Sequence, residues 1–184
     1  MAIAISSGGC NHADRQKDNR PNIIGGICTP AIAFWPDGMK IKGGSVTAET
    51  CHVIDVMATC LELAGTTCPD THNGNTITPM SGISFASVLK TGKREHRHEF
   101  LGFEHYREKA LITGNGLKIV QRQRHDEYEW ELYDLKADRS EMRDIATQHP
   151  QKVKELVEVF KEWAEQVDVI PAPEPLWGGF IDEF

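Results

Sequence analysis

The run from Trp130 to Ala146 narrows the possible fold more than any other stretch of the chain. Trp130, Leu132 and Leu135 are apolar, with Glu131 and Asp134 between them. That near-alternation has the period of a strand with one buried face. Lys136, Ala137 and Asp138 break the pattern. Asp138 has the short acceptor side chain that bonds backbone amides two residues on in turns. Met142, Ile145 and Ala146 then resume at helical spacing. Pro150 opens a long helix where its missing N–H is not needed. Val153, Leu156, Val157, Phe160, Trp163, Ala164 and Val167 form one stripe, with Lys and Glu on the other side. A strand, a polar turn and an amphipathic helix in this order predict a helix laid over a small sheet.

Upstream, Asn115-Gly116 separates Ala110 to Thr113 from Leu117 to Gln121, the pattern of a two-residue hairpin. With Phe100 to Glu104 and Trp130 to Tyr133 this predicts about four antiparallel strands. The first half reads differently. Ala31 to Trp35 is continuously apolar between Pro30 and Pro36. It fits a strand buried on both faces of a parallel sheet, or a buried irregular segment. Val53, Val56, Met57, Cys60, Leu61 and Ala64 make an apolar stripe that predicts a helix from Ala48 to Ala64. Thr47 is placed to cap its start, and Gly65 to end it in the left-handed conformation. Ala2 to Ile5 reads as a short strand, Ser6 to Pro21 and Cys68 to Ser81 as polar loops, and Ile83 to Leu89 as a short apolar turn. The tail from Pro171 reads as irregular, and no internal repeat is present.

The net charge of −7, with no basic run except Lys93 to Arg97, disfavours nucleic acid and anionic membranes as partners. The cysteines at 10, 28, 51, 60 and 68 form no Cys-x-x-Cys pair, and their odd number suggests no closed disulfide framework. Met1 to Ile5 is too short and lacks a basic start for a signal peptide, and no run approaches a membrane span. The compartment stays open.

Several segments together resemble one family. Trp-Glu-Leu-Tyr-Asp-Leu-x-x-Asp-Arg-x-Glu-x-x-Asp-Ile-Ala from residue 130 is similar to the segment closing the C-terminal subdomain of arylsulfatase-type sulfatases. Gly-Gly-Ile-Cys-Thr-Pro-Ala-Ile-Ala-Phe-Trp-Pro at 25–36 resembles that family's Glu-Gly-Gly-Ile-Arg-Val-Pro and the core strand after it. Ile54-Asp55-Val56-Met57-Ala58-Thr59-Cys60-Leu61-Glu62-Leu63-Ala64-Gly65 resembles its Asp-Leu-x-Pro-Thr-Leu-Leu-Glu-Leu-Ala-Gly helix. Ser81-Gly82-Ile83-Ser84, Phe103-Glu104-His105 and Leu117-Lys118-Ile119-Val120 match further segments in order, covering about residues 23 to 170. The resemblance implies an α/β fold in which residues 1–95 form the C-terminal edge of a sulfatase catalytic domain. Residues 96–170 would be a small antiparallel sheet packed on a long C-terminal helix, and 171–184 an irregular tail.

The family hydrolyses sulfate esters with a formylglycine made in a Cys/Ser-x-Pro-x-Arg motif and a divalent cation, usually calcium. A gem-diol nucleophile, a hard oxygen-ligated cation and cationic side chains must converge on one anion. No cysteine here has Pro and Arg at that spacing, and Cys28-Thr29-Pro30 falls in the later Arg-Val-Pro segment. Where the Asp-Asn-Gly metal pair belongs, the chain reads Ser6-Ser7-Gly8-Gly9, and serine brings calcium no charge. No catalytic residue and no metal ligand is therefore assigned, and no cofactor is expected in this chain. Calcium and formylglycine belong to a complete family member. His105, Arg20 and Lys17 are the candidate substrate contacts that the resemblance implies. His96 and His98 between Glu95 and Glu99 suggest either a metal site or, more in keeping with a charged linker, a solvated run. Gly82-Ile83-Ser84 is no nucleophile elbow, because Ala86 stands where the second glycine must be.

Two functions remain open at this point. The chain is the C-terminal portion of a sulfuric ester hydrolase, active only with an N-terminal part that carries the nucleophile and metal site. Alternatively it is a non-catalytic module that keeps the fold for binding or assembly. The first names the missing N-terminal sulfatase half, or self-association, as partner. Family members are often exported.

Overall fold

The computed structural model describes residues 2–5, 30–105, 108–124 and 127–169, without the side chains of 2–5, 105, 123, 124 and 127. The polar loop before Pro21 and the tail after Pro171 lie outside these residues. The described chain divides into two compact units, one of Ala2–Ile5 with Ala31–His98, the other beginning at Glu99.

In the first unit, β1 (Ala2–Ile5) pairs antiparallel with β2 (Ala31–Phe34), Ile3 opposite Ala33. Helix α1 spans Asp55–Leu63 and helix α2 spans Ala86–Thr91. Phe85, Val88 and Leu89 are the buried centre, with Ala33, Val56 and Leu63 packed against them. The sequence led us to expect a parallel strand buried on both faces. The strand is antiparallel, and only Ala33 turns inward. Ile32 is 69% exposed and Phe34 65%. Alternation explains the split, since neighbours on a strand point to opposite faces.

Helix α1 also departs from expectation. It starts at Asp55, seven residues after Ala48. The His52 N–H donates to Asp55 Oδ2 at 2.9 Å, reaching back across the helix start as a capping box does. Thr47 does not cap it: its hydroxyl donates to the Gly92 carbonyl. The end is as expected. Gly65 has φ +66, with Thr66 N–H on Leu61 O and Gly65 N–H on Glu62 O, a Schellman motif. Two members of the presumed apolar stripe, Val53 and Met57, are 66% and 61% exposed, while Asp55 and Thr59 are fully buried. Between the helices, Asn73 (φ 50) and Gly74 (φ 80) turn a small hairpin, β3 (Thr71–His72) and β4 (Asn75–Thr76), inside the segment read as loop.

The second unit is a four-strand meander, β5 (Phe100–His105), β6 (Glu108–Thr113), β7 (Leu117–Arg124) and β8 (Glu127–Asp134), in that order. The expected antiparallel sheet and long helix are both present. Helix α3 (Pro150–Gln166) lies on one face. Leu111, Ile119 and Leu132 from the sheet meet Leu156 and Phe160 from the helix, and all five are buried. Trp130 meets Phe160 edge-on at 5.8 Å. The β6–β7 connection is longer than the two residues Asn115-Gly116 suggested. The strands end at Thr113 and restart at Leu117, so Gly114 joins the turn. Thr113 Oγ1 donates to Leu117 O and accepts its N–H, which closes this wider loop. Asp134 accepts the amide two residues on, from Lys136. Asp138 accepts from Arg143 N–H, five residues on.

The opposite sheet face is buried too, which simple alternation did not foretell. Ala110, Val120 and Tyr133 sit there beside four charged groups. Lys118 Nζ donates to Glu141 Oε1 at 2.8 Å, and Arg122 Nη2 lies 3.2 Å from Glu141 Oε2 and 3.1 Å from Glu131 Oε2. The Tyr133 hydroxyl donates to Glu131 Oε2 at 2.8 Å. Among the described residues, two cations, Lys118 and Arg122, pair with two anions, Glu131 and Glu141. Burial holds the Lys118 pKa below its usual value, with Glu141 opposing, and burial beside Glu131 raises that of Tyr133. Glu141 is held with φ 54, a conformation that costs a side-chain-bearing residue roughly 1–2 kcal/mol. The ion pair and the surrounding chain must offset that.

Removing one partner of a buried pair leaves an uncompensated charge, at a cost of roughly 3–5 kcal/mol. Glu141→Ala should therefore lower the urea midpoint of the chain sharply. Adding Lys118→Met to it should restore part of the loss, because the remaining Arg122 and Glu131 still pair. Separately, a Cβ on Gly102 would lie 2.4 Å from the Trp163 ring. Gly102→Ala should cost about 1–3 kcal/mol, read as a fall in melting temperature.

Candidate functional site

The densest polar arrangement in the first unit centres on the Asp55 carboxylate. Four donors converge on it. The His52 N–H and Arg94 Nη2 reach Oδ2 at 2.9 and 3.0 Å; the Ile83 N–H and His98 Nε2 reach Oδ1 at 2.9 and 2.6 Å. An ionised carboxylate only accepts, so His98 donates through Nε2. Arg94 also donates to the carbonyls of Thr50, Ile83 and His96. Thr59, one turn after Asp55, donates to Asp55 O and accepts the Phe85 N–H. Two polar side chains of α1 thus satisfy backbone amides of the segment entering α2. Buried amides need such partners, which is why α1 turns Asp55 and Thr59 inward.

Burial alone would raise the Asp55 pKa. The donors from His52, His98, Ile83 and Arg94 outweigh it and hold the carboxyl below its usual 3.8. His52 is shifted down from 6.5, first by burial and further by His98, with Asp55 opposing. Its Nδ1 accepts the Ile54 N–H, as a neutral imidazole can. The reading of the run from His96 to His98 as solvated holds for His96 and Arg97, which are exposed, and is corrected for His98. The His98 side chain is only 12% exposed and is bound to Asp55; Arg94, in the basic run, is buried as well. The signal was present in the sequence. Asp55 and Thr59 are four apart, on one face of a helix, inside an otherwise apolar segment.

The candidate substrate contacts are not assembled by the described residues. His105 ends β5, opposite Glu108, and its side chain is not described. Arg20 and Lys17 lie outside the described residues. A shallow groove lined by Phe100, Thr113, Leu117, Lys152 and Val159 sits at the far end of β5 from His105. Among the described residues no group of three or more His, Cys, Asp or Glu is arranged to hold a metal. The donor chemistry agrees. Asp55, Glu131 and Glu141 each already face an Arg, a Lys or both. Those three carboxylates therefore do not fit a calcium site. No described helix is long and apolar enough to cross a membrane.

The Asp55 node is a stability element with a defined pH sign. Asp55 and His52 both have depressed pKa values in the fold, so the unfolded chain binds more protons in acid. Their contribution is intact above about pH 6.5. It declines as His52 takes a proton and falls again below about pH 4, as Asp55 is neutralised. Asp55→Ala should cost about 3–5 kcal/mol at pH 7 by leaving Arg94 buried without its anion, and should flatten the acid limb of a stability–pH curve.

With this geometry in hand, the likeness to known proteins can be placed. The family described as N-sulphoglucosamine sulphohydrolase, C-terminal, matches residues 18–168. An uncharacterised sulfatase of Schizosaccharomyces pombe is 32% identical over 152 residues, 82% of this chain and 27% of its own length. An N-acetylglucosamine-6-O-sulfatase of Bacteroides thetaiotaomicron is 28% identical over 74% of this chain and 25% of its own. Arylsulfatase K of Xenopus laevis is 26% identical over 65% of this chain and 23% of its own. Among solved structures, a protein in complex with its substrate D-glucosamine-2-N,6-O-disulfate superposes with a TM-score of 0.54. It is 25% identical and covers 80% of this chain and 30% of that one. The chain spans about a quarter of the length of these curated relatives. The matched region takes in the Asp55 node, the meander and α3, and the chain belongs to the sulfatase family, as a member of the C-terminal N-sulphoglucosamine sulphohydrolase group.

Proposed function

We propose that the chain is the closing portion of a sulfuric ester hydrolase, and that sulfate-ester cleavage requires an N-terminal portion outside these 184 residues. The observation that carries this reading is the coverage. Four-fifths of the chain aligns with about a quarter of a sulfatase. The commitment of Asp55, Glu131 and Glu141 to internal ion pairs supports it. A formylglycine nucleophile and calcium supply the chemistry in complete members, and they belong to that other portion. The role left to this chain is architectural, together with contacts to the substrate. It completes the α/β layer and carries the meander.

The substrate class in this proposal is a sulfated glucosamine. Two relatives are named for sulfated glucosamine substrates, and the family for N-sulphoglucosamine. His105, Arg20 and Lys17 are the proposed contacts to the sulfated sugar, by their match to the family pattern.

The purified chain alone should turn over neither an aryl sulfate nor glucosamine-6-sulfate above a buffer blank. A chimera in which residues 18–168 replace the matching region of the Bacteroides sulfatase should hydrolyse glucosamine-6-sulfate. His105→Ala in that chimera should raise KM about tenfold, as expected for loss of a ligand contact of roughly 1.4 kcal/mol. Turnover by the chain alone, or a folded chimera with no activity, overturns the reading.

A further inference from the structure

The chain carries two Asn-Gly dipeptides, Asn73-Gly74 in the first unit and Asn115-Gly116 in the second. Both asparagines are exposed. An asparagine followed by glycine can close a ring on itself. The glycine backbone nitrogen loses its proton to water and attacks the carbonyl carbon of the asparagine side chain. A C–N bond forms there, the bond to the side-chain nitrogen breaks, and that nitrogen takes up a proton and leaves as ammonia. Water then opens the succinimide at either carbonyl, giving aspartate or isoaspartate. Glycine favours the step because no Cβ obstructs the approach. Water is the sole co-reactant.

Ring closure needs a free glycine N–H, a free asparagine side chain and a backbone able to rotate. The two dipeptides differ in all three. The Gly116 N–H donates to Thr113 O at 2.9 Å, and Gly116 O accepts the Leu135 N–H at 2.8 Å. Asn115 Oδ1 lies 2.5 Å from Thr113 Oγ1 and 3.4 Å from Leu117 N. This turn joins β6 and β7, whose Leu111 and Ile119 are fully buried. By contrast, neither the Gly74 N–H nor the Asn73 side chain has a hydrogen-bond partner among the described residues. Gly74 has open space where a Cβ would stand. Strands β3 and β4 are two residues each and form a sheet of their own, and every residue from Thr71 to Thr76 is exposed. A hairpin of that size is marginal by itself, so the rotation that brings Gly74 N to Asn73 Cγ costs little. At Asn115 the same rotation must first break the contacts that hold the turn.

We propose that Asn73 is a self-modification site. In the folded chain it converts to aspartate and isoaspartate, while Asn115, with the same neighbour in sequence, is protected. The isomer adds a methylene to the main chain and a negative charge at the hairpin tip. It disrupts the pairing of His72 with Asn75 and goes no further, because nothing buried depends on that pair. This inference is independent of the function proposed above.

The test ages the full chain at mildly alkaline pH and body temperature, once folded and once in strong urea. Peptide mapping by mass spectrometry reads the amide-to-acid mass gain at each site, and an isoaspartate-specific methyltransferase reads the isomer. In the folded chain position 73 should convert about tenfold faster than position 115, the protection expected of a turn that opens rarely. In urea the two should convert at similar rates, since glycine follows both. The aged form, separated by its added charge, should melt as the fresh chain does, because residues 71–76 are exposed. Equal rates in the folded chain, faster conversion at 115, or no isoaspartate at 73 overturns the proposal. A preference for 73 that survives unchanged in urea overturns it as well, because local sequence rather than the fold would then set it. A lower melting temperature in the aged form overturns the confinement to the hairpin.

Discussion

A β-sheet has two faces, and the described meander depends on how each of them is closed. In the meander, one face is closed by apolar contact. Leu111, Ile119 and Leu132 meet Leu156 and Phe160, and the Trp163 ring fits only because Gly102 has no side chain. The other face is closed by charge. Lys118, Arg122, Glu131 and Glu141 are buried there in ion pairs, and Glu141 takes a positive φ where it meets Lys118. Burial of an isolated charge is costly, so each member is stable there only beside an opposite charge.

The first unit solves the same problem halfway. Polar side chains of α1 satisfy the backbone entering α2, and Asp55 gathers Arg94, His98 and two amides. That node fixes which side of α1 faces inward and leaves Val53 and Met57 outside. Strand β2 contributes Ala33 to the interior and presents Ile32 and Phe34 outward. An apolar residue in solvent is ordinary by itself. A strand apolar on both faces has the pattern of strands that lie between two layers.

The elements with a strong period could be read from sequence, and those governed by polar pairing could not. The 3.6-residue stripe from Val153 and the proline at its start located α3, and alternation near Trp130 located β8. The start of α1 was misplaced because apolar spacing says nothing about a carboxylate that bonds back to His52. The Asn-Gly signal is local. At Asn73-Gly74 it marks a true two-residue hairpin inside a presumed loop, whereas at Asn115-Gly116 the turn widens by one residue. The tie of His98 to Asp55 is not legible in the sequence because the two lie 43 residues apart. The candidate contacts His105, Arg20 and Lys17 came from motif order alone, and the described side chains include none of them.

The most direct measurement of the account is amide hydrogen exchange along Ala31–Phe34 and Leu117–Arg124 in the full chain. Exchange reports local opening, and an uncovered two-stranded ribbon opens at low cost. The account predicts rapid exchange of the Ala31–Phe34 amides and slow exchange in the meander amides of Leu117–Arg124. Amides of β2 protected as firmly as those of the meander would contradict it.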